Sequence, residues 1–251
     1  MHSPGAIYDE IGVGYGAVRL EDPRIAAQIW SALGDAAPVL NVGAGAGSYE
    51  PADRPVVAVE PSGGMIGQRP AGAAPAVRGV AGALPFTDRA FGGATVILTV
   101  HHWPDAAAGL AEVRRVTRGT VVVLTFDQRV HLEQWLVTDY LPAMAALDGD
   151  LPTPRAIAAA LGGGRVEVVP VPHDCRDGFC HAWWRRPSAY LAPGVRAGIS
   201  GIARLPEPIV ARAMARLDRD LRDGTWERAH ADLLDREWID GGYRLVVSPG
   251  R

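Results

Sequence analysis

The chain has 251 residues, 48% of them hydrophobic, and a formal charge of −3 at pH 7, which suits a large buried core and gives no electrostatic footprint for nucleic acid or an anionic membrane. No apolar run approaches the roughly 18 residues that cross a bilayer, and residues 1–10 lack the basic and apolar stretches of a secretory signal, so a cytoplasmic location is expected. There is no lysine, all 25 strongly basic residues being arginine, which excludes Schiff-base chemistry and a Walker-type phosphate loop.

Asp22-Pro23 followed by Ile25, Ala26, Ile29, Trp30 and Leu33 predicts a capped amphipathic helix. Short apolar runs over 39–42, 56–60, 76–80, 94–100 and 120–126 predict parallel strands covered on both faces. A helical pattern over 105–117 lies between the last two. Further on, 131–147 and 154–161 read as helices and 165–171 as a sixth strand. Residues 176–205 are rich in aromatics, arginine, proline and glycine without a clear period. Ile209, Ala213, Leu217 and Leu221 form one helical stripe. A helix over 226–240 is stopped by Gly241-Gly242, and 243–247 reads as the last strand. Alternating strands and helices predict a parallel α/β sheet, with a core of 1–171 and 241–251 and an insertion or helical cap at 172–240.

The strongest motif is Val39-Leu40-Asn41-Val42-Gly43-Ala44-Gly45-Ala46-Gly47-Ser48. A buried strand runs into glycines at alternate positions, where the backbone admits positive φ and close ligand approach. The next strand ends in Glu60, placed to accept hydrogen bonds from both ribose hydroxyls of an adenosine. The spacing is G-x-G-x-G, with Ser48 at the third glycine position of the dinucleotide fingerprint. Only a short helix fits between the two strands, which makes a weak pyrophosphate site and disfavours an NAD(P)-dependent oxidoreductase.

These residues resemble the class I S-adenosylmethionine-dependent methyltransferases, in the type 11 branch related to ubiquinone and menaquinone biosynthesis. The resemblance implies a Rossmann-like, doubly wound, seven-stranded, mostly parallel sheet and S-adenosyl-L-methionine as cofactor. It implies that Gly43, Ala44, Gly45 and Gly47, with Asn41, pack against the methionine part, and that Glu60, Pro61 and Met65 hold the ribose side. Gly79-Val80-Ala81, before Leu84-Pro85-Phe86, are similar to the family's adenine-lining motif. Thr99, Val100 and His101 resemble the fourth-strand motif beside the transferred methyl. Tyr8-Asp9 and Tyr15 are similar to the segment that folds over the cofactor. Two departures are an Asn at position 41 and Gly82 before Leu-Pro-Phe, where the family often has acids.

Methyl transfer needs alignment first, and a base only when the acceptor must lose a proton. His101 and His102 are the first base candidates. Trp103, Asp127, His131, Trp183 and Trp184 join His102 as candidates for the substrate side. Cys175 and Cys180, with four residues between them, suggest no metal site. The expected partner is a small-molecule acceptor rather than nucleic acid or membrane, with monomer and homodimer both open. Two alternatives stay open: the same cofactor used for non-methylating chemistry or regulation, and the oxidoreductase.

Overall fold

The computed structural model describes residues 19–147, 149 and 151–250. Helix α1 (Pro23–Leu33) begins at Asp22, whose carboxylate accepts the Arg24 N–H at 3.0 Å, with proline in the first turn. Strands β1 (Val39–Val42), β2 (Val56–Glu60), β3 (Ala76–Arg78), β4 (Gly93–Ile97) and β5 (Val121–Phe126) follow, with α2 (Gly63–Gly67) after β2 and α3 (Ala106–Val116) before β5. Beyond β5 come α4 (Gln128–Leu132), a π turn (Leu136–Tyr140), a 3₁₀ turn (Pro142–Ala146), α5 (Pro154–Ala160) and β6 (Arg165–Val168). A two-residue strand β7 (Val171–Pro172) pairs with β8 (Trp238–Ile239). Between them lie a 3₁₀ turn (Pro187–Leu191) and helices α6 (Pro193–Ala197), α7 (Ser200–Ala203), α8 (Glu207–Arg222), α9 (Thr225–Ala229) and α10 (Ala231–Leu234). Strand β9 (Tyr243–Ser248) closes the chain.

The main sheet has seven strands in the order β3-β2-β1-β4-β5-β9-β6. β1 to β5 are mutually parallel, and β9 runs antiparallel to both β5 and β6. The expected mostly parallel, doubly wound sheet is therefore present.

Side chains alternate across the sheet and build two cores. Val122, Leu124, Leu245 and Val247 pack under Ile25, Ile29 and Leu33 of α1. Val121, Val123 and Val246 face the other way, onto Leu110, Val113 and Val116 of α3 and Ile157 of α5. A third core joins Trp135, Leu136, Tyr140 and Met144 to Tyr190, Ile202, Met214, Leu217 and Trp226. The layer over the carboxyl end of the sheet thus draws on the segment after β5 as well as on residues 180–226.

Four expected elements differ. No helix forms between β1 and β2, only turns, as Pro51 and Pro55 break the segment. The strand expected to reach position 100 stops at Ile97, because Leu98 turns to φ +50°. Pro142 divides the helix expected over 131–147 into short turns. The helix expected over 226–240 is broken at His230, where φ is −122°, and ends in β8.

Candidate active site

The parallel strands end on one side of the sheet, and most of the expected residues meet there. Leaving β1, the loop is fastened to β2: the Gly43 and Ala44 N–H groups both donate to Val59 O, at 2.8 and 3.1 Å. Gly43 has φ +69°, and a Cβ there would lie 2.3 Å from Thr99 Oγ1, so only glycine fits. Glu60 is buried at the end of β2. One carboxylate oxygen accepts the Gly45 N–H at 2.8 Å and the other accepts the Ser62 N–H at 2.9 Å. A carboxylate offers about four acceptor directions, so these two bonds do not exhaust it.

Behind the loop, the Arg69 guanidinium donates to both oxygens of Glu50, at 2.9 and 2.8 Å, and to Ala74 O at 3.0 Å. Asn41 Nδ2 donates to the same carboxylate at 3.0 Å. Asn41 Oδ1 is buried and has no hydrogen-bond partner among the described residues. This polar support lies under the loop from three sequence positions that no single motif connects.

These groups line a cleft of about 410 Å³. Asn41, Gly43, Ala44 and Gly45 come to it from the first strand and its loop, and Glu60, Pro61 and Met65 from the second. Gly79, Val80 and Ala81 come from the third strand and Thr99 from the fourth. The Leu84-Pro85-Phe86 turn is fixed from α3: Glu112 accepts the Leu84 N–H at 3.0 Å, and Arg115 donates to Leu84 O and Phe86 O. Gly47 packs instead against Arg69, and Val100 lies in the core under α3. Tyr8, Asp9 and Tyr15 lie outside the described residues.

A smaller cavity, about 70 Å³, adjoins the cleft; Arg19, Leu98 and His102 line both. His101 and His131 line the smaller cavity together with Phe126, whose ring centroid is 5.0 Å from His101 and 4.8 Å from His131. His131 is seated by a close approach of β9 to α4. Gly242, at φ +88°, sits where a Cβ would come within 2.8 Å of His131 N. The His101 ring is partly exposed, yet its Nδ1 is sealed from solvent without a hydrogen-bond partner among the described residues. Burial, with the nearby His102, His131, Arg204 and Arg19, holds His101 well below the ordinary histidine range, so its imidazole is neutral at pH 7.

The remaining substrate-side candidates are dispersed. Trp103 lines the larger cleft and its Nε1 donates to Thr99 Oγ1 at 3.3 Å. Asp127 caps α4 by accepting the Arg129 N–H and lines neither cavity. Trp184 is buried in the core, donating to Val171 O and Pro172 O. Trp183 is half-buried, with the Arg186 guanidinium 4.4 Å from its ring centroid. The fold also brings His131 to Cys180 and His181, with one donor atom of each within 4.8 Å of the others. His181 Nε2 lies 3.1 Å from His131 O, and burial pushes the Cys180 thiol up to about 12.

Arg19 is the main residue that sequence reasoning missed. Its Nε donates to Asp177 Oδ1 at 2.5 Å and its Nη2 to Oδ2 at 3.3 Å, across 158 positions of sequence. The same Asp177 accepts the Tyr49 hydroxyl at 2.9 Å. No local pattern marks such a pairing. Ile199, which lines the smaller cavity, also comes from a segment without a periodic signal.

A strand-loop-strand unit with a glycine turn and a second-strand carboxylate, at the carboxyl edge of a parallel sheet, defines a nucleotide-cofactor enzyme of the doubly wound class. A family model described as a methyltransferase domain matches residues 40–124. A structure from Anabaena variabilis, described as a methyltransferase from an antibiotic biosynthesis pathway, is 34% identical, with 92% of this chain and 98% of that one covered and a TM-score of 0.83. The chain therefore belongs to the S-adenosylmethionine-dependent methyltransferases, class I, type 11 branch. The fold alone is shared with a Thermotoga maritima S-adenosylmethionine-dependent methyltransferase, at 13% identity, TM-score 0.55 and coverage of 99% and 100%. It is also shared with the [4+2]-cyclase SpnF, at 16% identity, TM-score 0.54 and coverage of 98% and 95%. No curated protein matches the sequence. The enzyme is thus a methyltransferase, and among the described residues no helix is long and apolar enough to cross a membrane.

Proposed function

We propose that the larger cleft holds S-adenosylmethionine and that the adjoining cavity receives a small-molecule acceptor, the methyl passing where Arg19, Leu98 and His102 border both. The observation that carries this reading is Glu60: a buried carboxylate on the cleft wall, already fastened to the glycine loop through Gly45. The fit of the cofactor is supported by three features. The volume of about 410 Å³ lies in the range of small-ligand sites. Gly43, Ala44 and Gly45 line the cleft with no side chain larger than a methyl. The buried Asn41 Oδ1 is an acceptor suited to an amino group.

When bound, S-adenosylmethionine supplies a methyl group on a sulfonium for in-line displacement. The chain's own residues do the rest. Glu60 accepts the ribose hydroxyls, Asn41 and the glycine loop hold the amino-acid tail, and Gly79 to Ala81 pack along the base. Leu98 excludes water from the border and Trp103 from the adjoining cleft wall, which keeps the nucleophile aligned. A hydroxyl acceptor must lose its proton, and His102, which borders both cavities, is placed to take it, whereas burial leaves His101 the weaker base. The acceptor-side cap is formed by the segment after β5, residues 128–147, together with residues 180–226. The two free, buried cysteines, Cys175 and Cys180, suit a reducing cytoplasm, and the net charge of −3 suits a small molecule rather than nucleic acid.

Calorimetry tests the cofactor assignment directly. S-adenosylhomocysteine is expected to bind with one-to-one stoichiometry and NADH not at all. A folded protein that gives heat with NADH and none with S-adenosylhomocysteine sinks the reading. Product formation from an acceptor without S-adenosylhomocysteine release would instead favour non-methylating use of the same cofactor.

A further inference from the structure

We propose that Glu50, backed by Arg69, is a positioning residue that turns the oxygen of the Asn41 amide toward the cleft, and that the cleft thereby selects nucleosides carrying an α-ammonium over the same nucleosides without it. The inference rests on the cofactor assignment made above.

An amide side chain can present either end, and its hydrogen-bonding partners decide which. A carboxylate paired with a guanidinium only accepts, so the Asn41 end that lies 3.0 Å from Glu50 Oε1 is the nitrogen. Asn41 Oδ1 is therefore turned away from Glu50. Asn41 is 1% exposed and lines the cleft, and this oxygen has no hydrogen-bond partner among the described residues. A buried acceptor of that kind is destabilising until a donor meets it. The donor that suits it best is a cation with N–H groups, because a charged donor makes the stronger hydrogen bond.

Glu50 is itself held. Arg69 Nη2 donates to both of its oxygens, at 2.9 and 2.8 Å, and the two side chains are only 5% and 9% exposed. The same nitrogen donates to Ala74 O at 3.0 Å. Gly47 leaves room for the guanidinium, since a Cβ there would lie 3.1 Å from Arg69 Nη1. Glu50 is thus fixed under the loop. Hydrogen bonds in a chain polarise one another, so the bond from Nδ2 to a carboxylate makes Oδ1 a better acceptor. An aspartate at 41 would set a second carboxylate against Glu50 at hydrogen-bonding distance, where like charges repel. Asparagine is the residue that meets Glu50 and still offers an oxygen to the cleft.

The test uses the full chain, calorimetry and two ligands: S-adenosylhomocysteine and its deamino analogue, in which hydrogen replaces the amino group. If neither gives heat with folded protein, the cofactor assignment fails by itself. Otherwise S-adenosylhomocysteine is expected to bind about tenfold or more tightly than the analogue, the worth of one charge-assisted hydrogen bond. Asn41→Leu, close to asparagine in size, is expected to erase that preference by weakening S-adenosylhomocysteine alone. Glu50→Gln is expected to cut the preference by about threefold or more, with affinity for the analogue held within about twofold. A role confined to holding the loop would weaken both ligands together and leave their ratio as it was. If Glu50→Gln does not fold with Arg69 buried beside it, Glu50→Asp keeps the charge but draws the carboxylate back from Asn41, and the same selective loss is expected. In an Asn41→Leu background neither Glu50 substitution is expected to change the ratio further, since Glu50 acts through the amide. Equal binding of the two ligands by the unaltered protein overturns the proposal. So does a common loss of both in Asn41→Leu, a folded Glu50 variant that keeps the original ratio, or a Glu50 substitution that still shifts the ratio without Asn41.

Discussion

The two cavities are built on different principles. The larger cleft is built on the sheet: a glycine loop, the ends of four parallel strands and the Glu60 carboxylate, held by the bonds of Gly43 and Ala44 to Val59 and of Gly45 to Glu60. The smaller one is made of side chains from the fourth and fifth strands, α4, the 3₁₀ turn after it and the residues of α6 to α7. On the proposed assignment, a shared cofactor is served by geometry that the sheet dictates, and an acceptor peculiar to one enzyme by side chains that change without disturbing the sheet.

The harshest way to break the backbone-built half is Gly43→Ala. The new Cβ meets Thr99, and alanine must adopt φ +69°. We expect a loss of about 2–4 kcal/mol in stability, with S-adenosylhomocysteine affinity reduced along with it. Thermal unfolding and calorimetry read both. Gly63→Ala is the control, since nothing lies within 4 Å of its hypothetical Cβ and its φ is ordinary. Equal behaviour of the two variants contradicts the assigned role of the loop.

Glu60→Ala is next. It removes the proposed ribose acceptor and frees the Gly45 and Ser62 N–H groups. S-adenosylhomocysteine binding should weaken by about 1.5–3 kcal/mol. Unchanged affinity in a folded variant rules out Glu60 as the ribose partner.

How much of this was legible in the sequence follows the same division. The loop and Glu60 are adjacent in the chain to the strands that position them, so spacing alone located them. The seven-stranded sheet was legible because buried parallel strands are apolar on both faces. Position 41 shows the limit: the departure from an acidic residue is met by Glu50 and Arg69, whose convergence appears only in three dimensions. Arg19 is more extreme, since its partner Asp177 lies across the fold. The aromatic cluster at 179–184 was visible as composition. Composition could not say that Trp184 turns into the core while His131, from another helix, faces the acceptor side.

The side-chain-built half should also be the more sensitive to acid. His101 and His181 both have pKa values held well below the ordinary histidine range, chiefly by burial. The unfolded chain therefore binds more protons than the folded one below about pH 6.5. Stability is full above that value and falls as pH drops toward the folded pKa values, by up to about 1.4 kcal/mol per pH unit for each such histidine. Denaturant titrations between pH 7.5 and 5 measure the slope, and His101→Gln should flatten it. A slope that the substitution leaves unchanged removes His101 from the account. Ring ¹³C shifts of labelled histidine, with His101 assigned through that variant, should likewise show no titration of His101 through pH 6.5.

The smallest effect concerns the tie between the two halves. Tyr49, just past the glycine loop at φ +63°, is buried; its carbonyl accepts Trp30 Nε1–H, and its hydroxyl donates to Asp177. Asp177 in turn holds Arg19 where the cavities meet. Tyr49→Phe removes the bond to Asp177 and the long 3.4 Å bond from the Asp22 N–H without creating a cavity, so stability should fall by only about 1 kcal/mol. Its diagnostic value lies in the division of its effects. The loop keeps its backbone bonds to Val59 and Glu60, so S-adenosylhomocysteine affinity should hold within about twofold, a few tenths of a kcal/mol. Arg19, by contrast, loses part of the support of its anchor, so binding of a ligand in the smaller cavity should weaken more than that of the cofactor product. If both ligands weaken equally, the two cavities are one mechanical unit, and the contrast between a backbone-built and a side-chain-built half does not describe how this enzyme binds.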